Sequence, residues 1–260
     1  MLKFNYVSDL HLDFWVRFNK NQIKWEQRTR EFTNRYIDNT SKLGDVLIIA
    51  GDISHYNQQS VWFIDEISEY FKQVFIVFGN HDYYLVSKTQ ATKYNRRSHN
   101  RIDELIEELR CHSNVKCLYN EDYIYEGYSF YGSTMWYPTK TINQENFFYN
   151  KSNDSKLIEN FNFYDAHDTQ LYSYNQVVDD VDIMISHVPL TEINTHRKSN
   201  HAHCYLTPVT KLAPVTIQGH CHEQKTYHKD DKTILMNAVG YDDEGGKVEL
   251  AYYEYEKEGI

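Results

Sequence analysis

The chain has few of the residues that build disulfide-bonded, membrane-spanning or loop-dominated proteins. Its 260 residues include 4 cysteines, 4 prolines and 10 glycines. The cysteines show no framework spacing and no C-x-x-C pair, so we expect reduced thiols of the kind found inside cells. No apolar run approaches the roughly 20 residues of a membrane-spanning helix, and polar residues interrupt the stretch where a signal peptide would need an apolar core. We therefore expect a soluble, cytoplasmic protein with no membrane partner.

Positive charge is also scarce. The chain has 27 Lys and Arg residues against 37 Asp and Glu residues, which gives a net charge of −10. Proteins that bind long duplexes neutralise phosphates with Lys and Arg, so we expect no extended duplex nucleic acid as a partner. A local positive site built from metal ions is still compatible with this charge. Tyrosine, by contrast, is abundant, with 23 residues, and its apolar body and polar tip suit half-buried surfaces and clefts.

The first eighty residues alternate between apolar runs of strand length and segments with helical spacing. Strands are predicted at 2–7, 46–50 and 74–78, and helices at about 24–38 and 61–71. This βαβ rhythm is typical of a parallel sheet. In such sheets the chemistry takes place beyond the carboxyl ends of the strands.

The rest of the chain continues with shorter elements. An amphipathic helix is predicted at 102–109, and further strands at 115–118, 128–136, 181–185, 215–217, 234–236 and 248–255. Residues 138–176 are rich in Asn, Tyr, Phe and Lys without strand patterning, and we interpret them as helices or loops of a cap-like insertion over the site. Because the sequence has no repeat or linker, we expect one domain spanning residues 1–260.

Side chains that bind divalent metal ions occur in five clusters, each at the end of an apolar run. The clusters are Asp9-Leu10-His11, Gly51-Asp52, Gly79-Asn80-His81-Asp82, Ser186-His187 and Gly219-His220-Cys221-His222. Each alone is a common turn or helix cap, but together they can converge on one point. Two divalent ions about 3.5–4 Å apart can bind both the attacking and the leaving side of a phosphoryl transfer. Asp52, which follows a buried strand, is the candidate bridging ligand.

The expected charge of this cluster suits a phosphate substrate. Two divalent ions bring four positive charges, and the carboxylates of Asp9 and Asp52 return two. The remaining ligands are neutral, so a charge of about +2 is left to attract phosphate oxygens and to lower the pKa of bound water.

Read in order, the clusters are D-x-H, G-D, G-N-H-[DE], H and G-H-x-H. In this the chain resembles the calcineurin-like metallophosphoesterase family over residues 9 to 222. The resemblance implies an α/β (α+β) fold, a four-layer αββα sandwich with two central mixed sheets flanked by helices. It implies one metal ion on Asp9, His11 and His222, a second on Asn80, His187 and His220, and a bridge by Asp52.

The resemblance also implies roles for the two residues after Asn80. His81 would face the substrate and stabilise the transition state or protonate the leaving oxygen, and Asp82 would orient His81. Imidazole and carboxylate ligands without thiolate suit Mn²⁺, Fe or Zn²⁺, and Mn²⁺ is the first choice by resemblance.

The expected activity is that of a binuclear metal-dependent phosphoesterase, in which a metal-activated hydroxide attacks phosphorus in line. Phosphoprotein phosphatases of this family carry G-D-x-x-D-R-G, whereas residues 51–57 here read GDISHYN and lack that Asp and Arg. A protein substrate is therefore disfavoured. Gly79-Asn80-His81-Asp82 resembles the cyclic-nucleotide and nuclease-type phosphodiesterases of the family, which favours a small, nucleotide-like phosphodiester. The alternatives are a phosphomonoesterase and a non-catalytic scaffold on the same fold, although no ligand is missing from the pattern.

Several polar residues outside the pattern also lie near it in sequence. We expect His55 near the site, and we interpret Asp13 as solvent-exposed or as a helix cap. Arg96, Arg97 and Arg101 are assigned to a solvated surface, with phosphate contact as the alternative. The stretch 201–204, His-Ala-His-Cys, is a candidate for substrate contact or for a further metal site.

Overall fold

The computed structural model describes residues 1–192 and 202–257, with the side chains of residues 202 and 203 left out. The strands are β1 Leu2–Val7, β2 Val46–Ala50, β3 Gln73–Val77, β4 Val115–Cys117, β5 Glu121–Tyr125, β6 Tyr128–Ser133, β7 Ile183–Ser186, β8 Val215–Gln218, β9 Gln224–Lys229, β10 Lys232–Asn237 and β11 Ala251–Tyr255. The α-helices are α1 Leu12–Trp15, α2 Gln22–Asn39, α3 Asn57–Ser68, α4 Lys88–Lys93, α5 Ser98–Leu109, α6 Ile142–Lys151, α7 Asp154–Leu157 and α8 Phe163–Val177. Short 3₁₀ turns lie at Asn80–Tyr83 and Ala202–Tyr205.

The strands form two mixed sheets. The first has the order β11-β1-β2-β3-β4, with β1 to β4 parallel and β11 antiparallel at the edge. The second has the order β5-β6-β7-β8-β10-β9, with a parallel centre and an antiparallel strand at each edge. In both sheets the parallel strands therefore end at one edge, where their following loops meet.

The two sheets pack face to face through the apolar side chains on their inner faces. Phe4, Ile48 and Phe75 of the first sheet belong to one buried cluster with Ile185 and Ile217 of the second. Side chains one position along point to the other face of a strand, and there they meet helices. Strands covered on both faces need apolar side chains on both, which is why these strands are continuous apolar runs.

Helices cover the outer face of each sheet. On the first sheet, Leu47 and Ile49 share a buried cluster with residues of α2, α3 and α5, such as Phe32, Phe63 and Leu105. On the second, residues of β6 and β7 pack with Tyr174 of α8 and with neighbouring apolar side chains. The layers are helix, sheet, sheet, helix, so the predicted αββα arrangement of two mixed sheets flanked by helices is confirmed.

Most predicted elements are present, with shifted ends. The helix predicted at 61–71 is α3, which begins at Asn57 and ends at Ser68. The strand predicted at 128–136 stops at Ser133, and Met135 then takes a left-handed φ of 56° that turns the chain. Residues 138–176 contain helices α6, α7 and α8, as predicted. In the described ranges no helix is long and apolar enough to cross a lipid bilayer.

Candidate metal centre

The loops after five parallel strands bring the predicted ligands to one place. The first sheet supplies those that follow β1, β2 and β3, and the second supplies those that follow β7 and β8. The seven side chains are Asp9, His11, Asp52, Asn80, His187, His220 and His222, and all of them line two adjoining clusters described below.

The backbone at these loops is held in an uncommon conformation. Asp9, His11, Asp52, His220 and His222 have φ values of 50°, 42°, 58°, 68° and 50°. Left-handed backbone is uncommon outside glycine, and when it persists it tends to mark functional sites. Aspartate and histidine adopt it more readily than most residues. Five of the seven candidate ligands therefore have a backbone conformation that their residue type seldom adopts.

Two glycines allow the loops to approach each other. A Cβ atom at Gly79 would lie 2.1 Å from Oδ1 of Asp52, and one at Gly51 would lie 2.5 Å from Nδ1 of His187. Both distances are far below van der Waals contact. Glycine is therefore needed at positions 51 and 79 because the neighbouring side chains of the site leave no room for a Cβ atom.

The first cluster contains Asp9, His11 and His222, whose ligand atoms lie within 4.8 Å of one another. Nε2 of His11 is 3.0 Å from Nε2 of His222, which is 3.6 Å from Oδ1 of Asp9. The other ring nitrogen of His222, Nδ1, lies 2.5 Å from Oε2 of Glu244. A carboxylate on the far nitrogen of a histidine is the usual partner that fixes a metal-binding ring.

The second cluster contains Asp52, His187 and His220, joined by the amide oxygen of Asn80. Oδ1 of Asn80 is 2.9 Å from Nε2 of His187 and 3.1 Å from Nδ1 of His220, and these two nitrogens are 3.2 Å apart. The far nitrogens of both rings face backbone carbonyls, that of Ala50 at 2.9 Å and that of Cys204 at 2.9 Å.

Asp52 lies between the two clusters. Its Oδ2 is 3.8 Å from Nε2 of His11 in the first cluster and 3.4 Å from Nε2 of His187 in the second. Its Oδ1 accepts a hydrogen bond from the backbone N–H of His81 at 2.8 Å. One carboxylate oxygen is thereby shared between the clusters, which is the position that a bridging ligand needs.

The donor atoms of the second cluster fit a cation. With Nδ1–H of His187 and Nε2–H of His220 donated to carbonyls, the facing nitrogens present lone pairs to each other whenever both rings are neutral. Oδ1 of Asn80 and Oδ2 of Asp52 are acceptors as well. Four acceptors meeting at 2.9–3.4 Å repel one another unless a positive charge lies among them.

His81 faces a second histidine, and one nitrogen of its ring also lies within 4.8 Å of the ligand atoms of His11 and Asp52. Its Nδ1 is 2.8 Å from Nε2 of His55, and Nδ1 of His55 is 2.7 Å from Oδ2 of Asp13. On its other side, Nε2 of His81 is 3.4 Å from the hydroxyl of Tyr241. The expectation that His55 lies near the site is confirmed, and the interpretation of Asp13 as a solvated residue or cap is corrected, because its carboxylate is bound to His55.

Asp82 contacts backbone and not the ring of His81. Its carboxylate accepts hydrogen bonds from the N–H groups of Asp52, Ile53 and Gly79 at 2.9, 3.0 and 2.8 Å. It therefore fixes the loop that carries Asp52 to the loop that carries Asn80. It is His55, and not Asp82, whose side chain contacts the ring of His81.

Arg101 is fully buried under the same loops, so its assignment to a solvated surface is corrected. It donates hydrogen bonds to the carbonyls of Ser54, His81 and Tyr84. Arg96 does lie at the surface, where it pairs with Glu159 at 2.8 Å. Position 201 and the side chain of position 203 lie outside the described residues.

With this geometry, the match to known proteins is specific. Residues 2–224 match the calcineurin-like phosphoesterases. The chain belongs to the calcineurin-like phosphoesterase family. Uncharacterized protein L509 of Acanthamoeba polyphaga mimivirus is 25% identical to this phosphoesterase over 275 residues, which cover 92% of this chain and 91% of that protein. The crystal structure of phosphopantetheinyl hydrolase from Mycobacterium tuberculosis matches with a TM-score of 0.66 and 16% identity, covering 92% of this chain and 89% of that one. At that identity the second likeness shows the fold alone.

Burial and charge set the protonation of the ligand histidines in this phosphoesterase. Burial lowers the pKa of His11 to about 4, and it also lowers the pKa of His220. Burial acts in the same direction on His187, but the Asp52 carboxylate outweighs it and raises the pKa of His187 to about 10. His11 and His220 are thus neutral at physiological pH, as metal ligands must be.

The clusters open into a cavity of about 360 Å³. Its floor includes Asp52, Asn80 and His81, and its walls are largely aromatic: Tyr84, Tyr137, Phe147, Tyr205 and Tyr241. Lys151, at the end of α6, is the one lysine or arginine among the described residues that line it. The cavity has room for a small ligand.

Sequence reasoning missed three residues of this site, namely Glu244, Tyr241 and Asp154. Glu244 and Tyr241 follow β10 in a Gly- and Asp-rich stretch that is typical of an exposed loop. Asp154 begins α7 in the segment 138–176, and its carboxylate contacts Asn80. The composition of segment 138–176 gave no sign that the side chain of Asp154 is buried.

Proposed function

We propose that this phosphoesterase hydrolyses a small, nucleotide-like phosphodiester with the help of two divalent metal ions. The convergence of acceptors from two sheets, with Oδ2 of Asp52 3.8 Å from His11 and 3.4 Å from His187, carries this proposal. Family membership supports the wider class of phosphoric ester hydrolases.

In this proposal Asp9, His11 and His222 hold one ion, Asn80, His187 and His220 hold the other, and Asp52 bridges them. When bound, the ions would supply Lewis acidity and an activated water. The ligand set, imidazole with carboxylate and no thiolate, favours Mn²⁺, with Fe and Zn²⁺ as alternatives. Glu244 and the carbonyls of Ala50 and Cys204 would fix the ring orientations.

His81 is proposed to serve the leaving group. One proton lies between Nε2 of His55 and Nδ1 of His81, which are 2.8 Å apart. When His55 is protonated on both nitrogens, and is therefore a cation, neutral His81 carries its own proton on Nε2 and can donate that proton to the departing oxygen. The shared proton then moves from His55 to Nδ1 of His81, and Asp13 keeps Nδ1 of His55 protonated throughout. His55 and Asp13 are positioning residues in this scheme.

Charge and shape support a diester over a monoester. A diester carries one negative charge, whereas a monoester carries up to two. Among the described residues, Lys151 is the one lysine or arginine that lines the cavity, and it is exposed. In the G-D-x-x-D-R-G pattern of the phosphoprotein phosphatases the second Asp falls at position 55, where this chain has His55, and the Arg falls at Tyr56. The Arg that would meet a dianion is thus absent at position 56.

The aromatic walls support a planar group on the substrate. Tyr137, Phe147 and Tyr205 line the cavity beside the second cluster, and rings of this kind stack on nucleobases with about 1–3 kcal/mol per base in other proteins. Segment 138–176 supplies Phe147, Lys151 and Asp154 to the same cavity. We therefore propose that it is a cap-like insertion within one domain spanning residues 1–260.

A substrate panel with added Mn²⁺ tests the proposal. The panel contains bis-p-nitrophenyl phosphate, p-nitrophenyl phosphate, cyclic nucleotides, dinucleotides and short single strands. We expect turnover of the diesters, and the Asp52→Asn variant should abolish it, which rules out a contaminating enzyme. Faster turnover of p-nitrophenyl phosphate than of any diester would make the protein a phosphomonoesterase. No turnover of any compound at any metal loading would leave a non-catalytic scaffold.

A further inference from the structure

Asp154 is a buried carboxylate at the first turn of α7, outside the sequence pattern of the family. Its exposed fraction is 4%. Oδ1 accepts hydrogen bonds from Nδ2 of Asn80 at 2.9 Å and from the hydroxyl of Tyr84 at 2.5 Å, and Oδ2 accepts from the hydroxyl of Tyr137. Both oxygens are thus occupied by donors from elements distant in the chain.

The contact with Asn80 fixes which way the amide points. The amide has an acceptor end, Oδ1, and a donor end, Nδ2. Oδ1 lies among the acceptors of the second cluster, 2.9 Å from His187 and 3.1 Å from His220. Nδ2 lies against Asp154 and, at 3.1 Å, against the hydroxyl of Tyr84. Since an ionised carboxylate accepts and never donates, it can hold only the amino end.

We propose that Asp154 is a positioning residue for the second metal ion, because it turns the oxygen of Asn80 towards that ion. The inference rests on the proposed function in that it takes Asn80 as a ligand. Partners of metal ligands typically change metal affinity by about 10–100-fold. Asp154 thereby makes segment 138–176 part of the metal site and not only a wall of the cavity.

A purely structural role for Asp154 predicts a different result. Removal of a carboxylate that holds α7 in place would lower the stability of the fold and leave both metal affinities unchanged. Removal of a positioning group would weaken one ion selectively, because the amide could then rotate and present Nδ2 to the cluster. The two roles are separated by counting bound ions at limiting metal.

The test is Mn²⁺ binding to the full-length, metal-stripped chain, measured by equilibrium dialysis and titration calorimetry. We expect Asp154→Asn to weaken one of two sites by about 10–100-fold and to change the other by less than about threefold. Turnover lost at limiting Mn²⁺ should return when Mn²⁺ is raised. Asp168→Asn is the matched control, since Asp168 lies in α8 of the same segment and is exposed, and it should bind both ions as the native chain does.

Two further variants keep the inference falsifiable. Asp154→Ser, with a smaller polar side chain, replaces Asp154→Asn if that variant does not fold. In an Asn80→Ala background the Asp154 substitution should have no further effect on Mn²⁺ affinity, because its route of action is already gone. Equal affinities in native and Asp154 variants, or full additivity with Asn80→Ala, would overturn the inference. If the native chain binds two ions yet hydrolyses no ester, the proposed function fails and this inference stands.

Discussion

The contact between His55 and His81 makes a prediction about leaving groups. We consider the His55→Phe variant, which keeps a planar ring beside His81 and removes both nitrogens. The native rings are nearly parallel, at 10° with centroids 4.9 Å apart, and a phenyl ring can keep this stacked arrangement after small shifts of the atoms that met the two nitrogens. The variant removes the hydrogen bond of 2.8 Å to His81 and leaves the tautomer of His81 unfixed.

The size of the effect follows from that bond. A hydrogen bond that involves a charged group contributes about 1.5–3 kcal/mol net, and this one is backed by the Asp13 carboxylate at 2.7 Å. At about 1.4 kcal/mol per factor of ten, the loss is roughly 10–150-fold for a reaction that needs a proton on the leaving oxygen. An ester that departs as p-nitrophenolate needs little protonation, and we expect it to slow by no more than about threefold.

The assay compares kcat/KM for two diesters at saturating Mn²⁺, one with a p-nitrophenyl and one with a sugar-hydroxyl leaving group. Metal content is measured alongside and should stay at the native value. His228→Phe, at an exposed position on β9, is the control for the substitution itself. Equal losses on both diesters would refute the role of His55, and loss of Mn²⁺ would show that it acts on the ligands instead.

Three other predictions follow from the site. Gly79→Ala should lower kcat/KM by at least about 100-fold and lower the metal content with it, because the new Cβ would lie 2.1 Å from Oδ1 of Asp52. A native metal content, measured by atomic absorption, would contradict this. Arg101→Met should lower the free energy of unfolding by about 3 kcal/mol or more in urea melts, because it leaves the buried carbonyls of Ser54 and Tyr84 without a donor and removes one of the donors to that of His81. The exposed Arg110→Met variant should cost under about 1 kcal/mol. Metal binding at pH 7 should release about one proton per chain. The Asp52 carboxylate keeps the pKa of His187 at about 10, and the proton must leave before the ring binds a cation. The affinity for metal ions should therefore rise with pH up to about 10. Calorimetry in two buffers of different ionisation heat measures this release, and a value of zero would contradict it.

The central strands and the ligand pattern were predictable because both are written in local sequence. Apolar runs such as 46–50 are strands that lie between two layers, and polar residues directly after them have to lie at the sheet edge. The convergence of Asp52 and Asn80 follows from the parallel order of β2 and β3. The position of the polar residues directly after each apolar run is thus what makes the site predictable from the sequence.

Contacts between distant segments were not predictable in the same way. β5 and β9 are edge strands with one or both faces in solvent, so they lack an apolar run. Asp13, Asp154 and Glu244 act through partners 42, 74 and 22 residues away. The sequence does not show whether a carboxylate is exposed to water or buried under a helix, because tertiary packing determines its surroundings.

The candidate ligands come from two different sheets, so the packing between the sheets affects the geometry of the site. His187 and His220 are carried by one sheet, and Asp9, Asp52 and Asn80 by the other. A slide of one sheet over its neighbour by a fraction of an ångström would alter the distances from His187 and His220 to Asp52 and Asn80. Side chains packed between the sheets, such as Phe75 and Ile185, therefore hold the geometry of the candidate metal centre in place.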